Sequence, residues 1–437
     1  MTATGAMWHN WARTEKVRPL RVERPRTTAA VQRAVRAAAG SGIPIKAVGA
    51  GHSFTGIAIA PGIQLELEDL VGIVGQPTSD GLVTFLAGTR LHQIPRLLAP
   101  YGLAMENLGD IDAQSISGAV STGTHGTGAR FTGIAGQVRG VVMVTATGDL
   151  LEVNDEASPE LLPAVALGLG ALGILAEVTV QCVPRFLLQA VEQPEPLDDV
   201  LDTALERAGT ADHFEFYWFP HTRTALTKTN TRLPVGAKRK PLNPVSRFID
   251  DSVLANGLYR VTCATGVVVP PLIPRVNRLA EKLTGNRSFT DLSHRVFTTK
   301  RTVRFREMEY GIPAEHVPAA VRDIEALIGS RGWRISFPLE VRFAAADNLW
   351  LSTAHGRPTG YIAVHRYYRE RPTAYFAAVE AILRGYGGRP HWGKMHTQDA
   401  TGLAGEYPHF ADFLAARDRL DPRRLFSNPY LDRVLGH

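Results

Sequence analysis

The sequence predicts a protein that mixes helices and strands and divides into two or three domains. Three observations carry this prediction. The chain has 437 residues, more than one ordinary hydrophobic core organises. Its first stretch, residues 1–184, alternates helix-like and strand-like periodicity. Beyond Pro184 the texture changes to aromatic-rich strand patterns, interrupted by a connection rich in Pro, Lys and Arg.

Thr28 caps a first helix with an apolar face of Val31, Ala34, Val35 and Ala38, closed by Gly40. Residues 43–48 form a strand that runs into a glycine-rich turn. Residues 63–67 alternate as a half-buried strand does, and 82–87 repeat the pattern. Residues 90–101 suit a short helix with Pro95 in its first turns. A polar, glycine-rich belt spans 109–128, followed by strands at 138–145 and 175–183. The apolar run 161–176 is shorter than the ~20 residues a membrane span needs. It also contains Pro163, Gly168, Gly170 and Gly173, so a buried segment is the better reading. Beyond Pro184, residues 214–219 form an aromatic strand, 230–274 a long connection, and 302–310, 335–343 and 361–368 the strands of a second sheet. A separate block starts at His391. The boundaries drawn are 1–184, 185–390 and 391–437.

Hydrophobic residues make up 44% and charged residues 21%, ordinary for a globular chain. The net charge of +6 favours a phosphorylated cofactor or an acidic partner. The densest basic run, Lys238-Arg239-Lys240, reads as a solvated loop, so nucleic acid is not an expected partner. Cys182 and Cys263 are the only cysteines and lie too far apart in sequence for a CxxC metal site. No basic segment followed by an apolar core opens the chain, so a cytoplasmic location is expected.

The most informative motif is Gly49-Ala50-Gly51-His52-Ser53-Phe54, directly after the strand. Glycines there let bare N–H groups approach a phosphate or a planar ring, and the imidazole projects into the same space. A neutral imidazole nitrogen is a competent nucleophile. A lone histidine is more often structural; its place between Gly51 and Ser53 favours a tightly held anionic cofactor, within reach of a covalent link. Within the 109–128 belt, Ser115, Ser117, Ser121, Thr122, Thr124 and Thr127 carry hydroxyls suited to phosphate oxygens; a surface loop of turn formers is the ordinary alternative. Gly168-Leu169-Gly170-Ala171-Leu172-Gly173 fits G-x-G-x-x-G, but a helix precedes it and a strand follows. That order is reversed for a nicotinamide site, so it is a tight turn with N–H groups to offer another ligand.

Glu340 and Arg342, two apart on a strand, share a face. They can hold vicinal hydroxyls and a developing oxyanion, or form an ordinary ion pair. The apolar Phe337-Pro338-Leu339 before them points to burial, where a pair without a task is unusual. His365 can join the same face or be a satisfied core histidine. In His391-Trp392-Gly393-Lys394-Met395-His396, Lys394 can meet an anionic ring atom or be a solvated loop residue.

Together with the closing Asp421-Pro422-Arg423-Arg424-Leu425-Phe426-Ser427-Asn428, these motifs resemble the FAD-linked sugar-1,4-lactone oxidases and dehydrogenases of the vanillyl-alcohol oxidase superfamily. The gulonolactone, galactonolactone and arabinonolactone oxidoreductases are nearest, with alditol oxidases as near relatives. The resemblance spans almost the whole chain. It implies a two-domain α+β fold: a PCMH-type FAD-binding domain formed by the N-terminal part and the returning C-terminal block, and a substrate cap with an antiparallel sheet. It implies FAD, attached through His52, with Gly49, Ala50, Gly51, Ser53, Phe54, Gly109, Asp110, Ser115, Ser117, Gly118, Thr122, Thr124, His125, Gly173, Ile174 and Lys394 around it. Gly109 falls where a small residue leaves oxygen a path to the flavin.

The implied reaction is hydride transfer from C2 of an aldonolactone to flavin N5. Glu340 orients or accepts from the hydroxyls, Arg342 stabilises the oxyanion, Lys394 sits near flavin N1, and His365 is a second candidate proton acceptor. Oxygen or a redox carrier then reoxidises the flavin. Two alternatives stand beside this one: an alditol or specialised-metabolite alcohol as substrate, and a flavin-binding protein without turnover.

Overall fold

In the computed structural model, described for residues 5–243, 270–275, 277–278, 285–299 and 303–437, three larger sheets and the short pair Trp8–His9 with Lys16–Val17 organise the described residues. Cys263 and most of the expected 230–274 connection lie outside the described residues.

The first helix, Thr28–Ser41, is capped by Thr27, whose side chain accepts from Ala30 N, so the cap falls one residue before the expected Thr28. The helix ends at Gly42, not Gly40, because Gly42 takes the left-handed conformation (φ 66°) that closes it. The expected apolar face is buried in the first core, where the helix meets strands Val138–Val144 and Ile174–Pro184. A three-stranded parallel sheet is ordered Arg21–Glu23, Ile63–Glu66, Ile45–Val48. Beside it stands an antiparallel sheet ordered Leu150–Asn154, Val138–Val144, Ile174–Pro184, Leu82–Leu86, Ile73–Val74, with Leu103–Met105 pairing the far end of Ile174–Pro184. The helix expected over 90–101 is shorter: Ile94–Leu98 and one further turn, Ala99–Tyr101. The 109–128 belt is not all loop, since Ser115 caps a helix at Ile116–Ser121.

The second large sheet is wholly antiparallel. Its order is Arg287–Leu292, Phe186–Pro196, Thr224–Pro234, His213–Trp218, Leu339–Ala344, Thr359–Tyr367, Phe305–Pro313, Arg389–Pro390. Leu339–Ala344 starts later than the expected residue 335, and residues 335–338 approach it outside the ladder. Side chains alternate between the faces. Phe214, Phe216, Val341, Phe343, Ile362, Val364, Met308, Tyr310 and Ile312 point one way, under the helices Leu197–Thr210, Val317–Arg331 and Thr373–Gly385. Glu215, Glu340, Arg342, Ala363, His365, Glu307 and Glu309 therefore share the opposite face. That face is polar yet buried, which is unusual unless every charge has a partner.

The closing segment returns to the first core. Phe413, Phe426, Leu431 and Val434 pack in the cluster that holds Val31, Ile45 and Val178. Asn428 ties this return down: its amide donates to Gly56 O (3.1 Å), Ile57 O (3.0 Å) and Ile59 O (2.9 Å), while its Oδ1 caps Leu431 N. Lys238-Arg239-Lys240 is an exposed loop, as expected, although Arg239 pairs with the buried Asp291 at 2.6 Å and Lys240 pairs by backbone with Thr290.

Candidate active site

Strand Ile45–Val48 ends at the His52 turn, where Gly51 has φ 67°, a conformation costly for other residues. Ala50, Gly51, His52 and Ser53 direct N–H groups that find no acceptor among the described residues. The second glycine belt comes close: a Cβ on Gly49 would lie 2.5 Å from Ser115 Oγ. Between them is a cavity of about 810 Å³, lined by Gly49, Ala50, Gly51, His52, Ser53, Ser115, Ser117, Gly118, Thr122, Gly173 and Ile174. Every one of these was expected from sequence at the cofactor. A second cavity, about 730 Å³, is lined by Phe54, Gly109, Asp110, Thr124, His125, Glu340, Arg342 and Lys394. His52, Ser53, Gln114 and Thr122 line both, so the two join at the His52 turn.

This space suits a dinucleotide flavin on structural grounds. His52 Nδ1 is buried and lacks a hydrogen-bond partner among the described residues. Burial, helped by Arg90 and Lys394, pushes the imidazole down to about 4, so it is neutral at ordinary pH. Trp11 stacks on it with ring centroids 5.6 Å apart. Among the hydroxyls assigned to phosphate oxygens, Ser117 and Thr122 spend their protons on the protein, donating to Ala87 O (2.7 Å) and Gly118 O (2.9 Å). Thr124 accepts from Gln114 (2.9 Å) and keeps its own proton to donate. The free backbone N–H groups of the His52 turn offer further anion donors.

The polar sheet face forms the wall of the second cavity. Arg342 Nη2 meets Glu340 Oε1 at 2.6 Å and its Nε meets Glu215 Oε2 at 2.9 Å. Burial opposes the guanidinium charge, but the two carboxylates hold it protonated well above its ordinary range. Tyr217 OH reaches both Glu340 and Arg342 at 3.4 Å. Lys394 Nζ lies 2.5 Å from Glu307 Oε2. Burial pushes the Glu307 carboxyl up, yet Lys394 and His365 outweigh it and hold it at about 2.

His365 is the predicted residue that the structure does not bring to the cavity. It is 2% exposed, its Nδ1 is bound to Pro338 O at 2.9 Å, and Nε2 faces Glu307 at 3.5 Å. It stands behind Glu307, because its register on strand Thr359–Tyr367 sets it opposite that residue.

Glu307, Glu309 and Lys46 escaped the sequence reading. Glu307 and Glu309 alternate on Phe305–Pro313; a Glu-x-Glu in a buried strand was the available signal. His125 Nδ1 donates to Gly126 O (2.9 Å), which turns Nε2 toward Glu309 Oε1 at 3.3 Å. His391 completes a group within 4.8 Å. Its Nδ1 accepts from Gly393 N (3.0 Å), which leaves the proton on Nε2, so that nitrogen lacks the lone pair a metal ligand needs. Lys46, inside an apolar strand, donates from Nζ to Leu169 O (3.1 Å), Gly170 O (2.8 Å) and Phe426 O (3.3 Å). It thereby joins the glycine turn 168–173 to the closing segment along the first cavity.

Comparison with known proteins agrees with this geometry. The model of the D-arabinono-1,4-lactone oxidase family matches residues 178–434, and that of an FAD binding domain matches 19–154. An L-gulono-1,4-lactone dehydrogenase of Mycobacterium tuberculosis is 41% identical over 432 residues, covering 98% of this chain and 99% of that one. The L-gulonolactone oxidase of Bos taurus is 30% identical over 98% of each. An alditol oxidase of Streptomyces is 28% identical over 98% of each. Among solved structures, cholesterol oxidase from B. sterolicum superimposes with a TM-score of 0.79 at 17% identity, covering 99% of this chain and 97% of that one. A solvent-stable cholesterol oxidase gives 0.81 at 19%, over 99% and 98%. These superpositions establish the vanillyl-alcohol-oxidase fold expected from sequence. The chain is an FAD-binding oxidoreductase, and it belongs to the D-arabinono-1,4-lactone oxidase family.

Proposed function

We propose that this protein oxidises a secondary hydroxyl of a sugar-1,4-lactone of the L-gulono-1,4-lactone type, using FAD attached through His52. The observation that carries the reading is the buried Glu340–Arg342 couple, facing the cavity that Gly109, His52 and Lys394 also line. When bound, the flavin supplies the two-electron acceptor for the C2 hydrogen. The remaining work falls to the chain. Glu340 accepts from the reacting hydroxyl and orients it. Arg342, held by Glu215 and Glu340, stabilises the oxygen as its charge develops. Lys394, held by Glu307, places a cation at the end of the cavity that Phe54 and His52 line. His365 acts through Glu307 and positions Lys394. The division at 184 and 390 fits this arrangement, with residues 391–437 returning to the cofactor side.

The neutral, unpartnered His52 supports covalent attachment. Acid precipitation tests it: yellow protein supports the link, and flavin left in the supernatant rules it out. Anaerobic mixing with L-gulono-1,4-lactone should bleach the flavin, and readmitted oxygen or an artificial carrier then identifies the acceptor. A flavin that no lactone bleaches would overturn the reading. Glu340 and Arg342 also suit an open-chain polyol, and the likeness to an alditol oxidase favours including alditols in the same panel. Glu340→Ala should cost turnover far more than flavin content; unchanged turnover would remove it from the mechanism.

A further inference from the structure

The Glu340–Arg342 couple has a counterpart on the same sheet face. Glu309, Ala363 and Glu340 stand in one row across Phe305–Pro313, Thr359–Tyr367 and Leu339–Ala344. Neighbouring strands lie ~4.8 Å apart, which sets the two glutamate backbones roughly 10 Å apart. The residue between them contributes only a methyl group. Both glutamates line the second cavity, and both are buried at 6% exposure, so neither is a solvated surface charge.

Each has its own nitrogen partner. Arg342 lies 2.6 Å from Glu340 and His125 lies 3.3 Å from Glu309. His125 has no freedom to turn away. Its Nδ1 is committed to Gly126 O, and its ring stacks on Tyr361 with centroids 3.5 Å apart. The nearby Glu307 is different, since Lys394 and His365 approach one oxygen each. Glu309 commits Oε1 to His125, and no donor among the described residues meets Oε2. An ionised carboxylate accepts hydrogen bonds and cannot donate them. Oε2 is not one of the fully enclosed unpartnered atoms, so it meets the cavity, where a ligand hydroxyl can donate to it.

We propose that Glu309 is a second substrate-binding carboxylate, which takes a hydroxyl of a polyhydroxylated substrate whose reacting hydroxyl is held by Glu340 and Arg342. This rests on the function proposed above and adds a specificity determinant to it. A substrate lacking the hydroxyl that Glu309 receives leaves the carboxylate unpaired and is rejected, whereas a substrate extended by a methylene is not.

The test uses the flavin-loaded holoenzyme and a series of monodeoxy analogues of L-gulono-1,4-lactone, with kcat/KM read against the parent lactone. In the wild type, one analogue should fall roughly tenfold or more, the worth of one charge-assisted hydrogen bond. In Glu309→Gln the parent should fall by a similar factor, and the gap between parent and that analogue should close to within about twofold. A gap that stays the same for every analogue overturns the proposal, even while the parent lactone still bleaches the wild-type flavin. Absence of bleaching by any lactone or alditol in the wild type overturns the proposed function, and this inference with it. If Glu309→Gln loads no flavin, Glu309→Asp carries the comparison. It keeps the charge beside His125 but withdraws the oxygens by about 1.5 Å, so the gap should narrow, and an unchanged gap again overturns the proposal.

Discussion

Replacing Lys46 by Met should remove a specific component of the protein's stability as a function of pH. The Lys46 ammonium is 5% exposed and donates to three backbone carbonyls. Burial, with Arg417 adding to it, lowers its pKa from 10.5 to about 7. A lysine depressed in the folded state binds fewer protons there than in the unfolded chain over this range, so its contribution to stability rises with pH. Below pH 7 both states carry the proton and the full cost of burying the charge is present. From pH 7 to 9 the cost falls over two pH units, or roughly 3 kcal/mol. Urea unfolding of wild type and Lys46→Met at pH 6 and pH 9 isolates this quantity, because all other titrating groups are common to both. The wild type should gain roughly 3 kcal/mol more than the variant over that interval. Parallel behaviour of the two proteins would refute the assignment of a depressed, buried lysine.

Other consequences can be checked more briefly. His52 is neutral down to about pH 4, so covalent incorporation of FAD into apoprotein should run at one rate between pH 5 and 8; a rate that falls tenfold with each unit below 6.5 would show an ordinary imidazole. Gly51→Ala places a Cβ 3.1 Å from Trp8 at φ 67°, and should cost roughly 1–2 kcal/mol and reduce FAD retention in gel filtration; full retention would relieve Gly51 of its role. Lys394→Met leaves the buried Glu307 without its 2.5 Å partner, and should slow anaerobic flavin reduction by roughly 100-fold with FAD content kept; an unchanged rate would exclude the cation.

Much of the cofactor side was legible because its chemistry is local in sequence. The His52 turn needs glycines at fixed places, and a strand must deliver it, so one stretch of six residues carries both fold and ligand. Glu340 and Arg342 were legible for the same reason, being two apart on one strand. What the sequence concealed is set by pairing between distant strands. Nothing in Glu307-Met308-Glu309 says that the first carboxylate will meet Lys394 and the second His125, which lies 184 positions earlier. His365 failed as a cavity residue for a related reason. Its strand was correctly read, and its side chain does share the face of Glu340, but the register places it opposite Glu307 and the side chain of Glu307 takes up the space in front of it. Ser117 and Thr122 of the belt donate to backbone carbonyls at short range instead. A hydroxyl-rich loop can therefore fold into a helix cap and turns, and share the phosphate with bare N–H groups. The polar face of the large sheet follows a single rule throughout. Each buried carboxylate lies beside a nitrogen partner, Glu340 on Arg342 of its own strand, and, from another strand or loop, Glu215 on Arg342, Glu307 on Lys394 and Glu309 on His125. Burial without those partners would protonate the acids or unfold the sheet. The pairing that makes the fold tolerable is thus the same pairing that keeps the carboxylates ionised as hydrogen-bond acceptors, and a single neutral substitution in any couple should disturb substrate recognition before it disturbs the flavin.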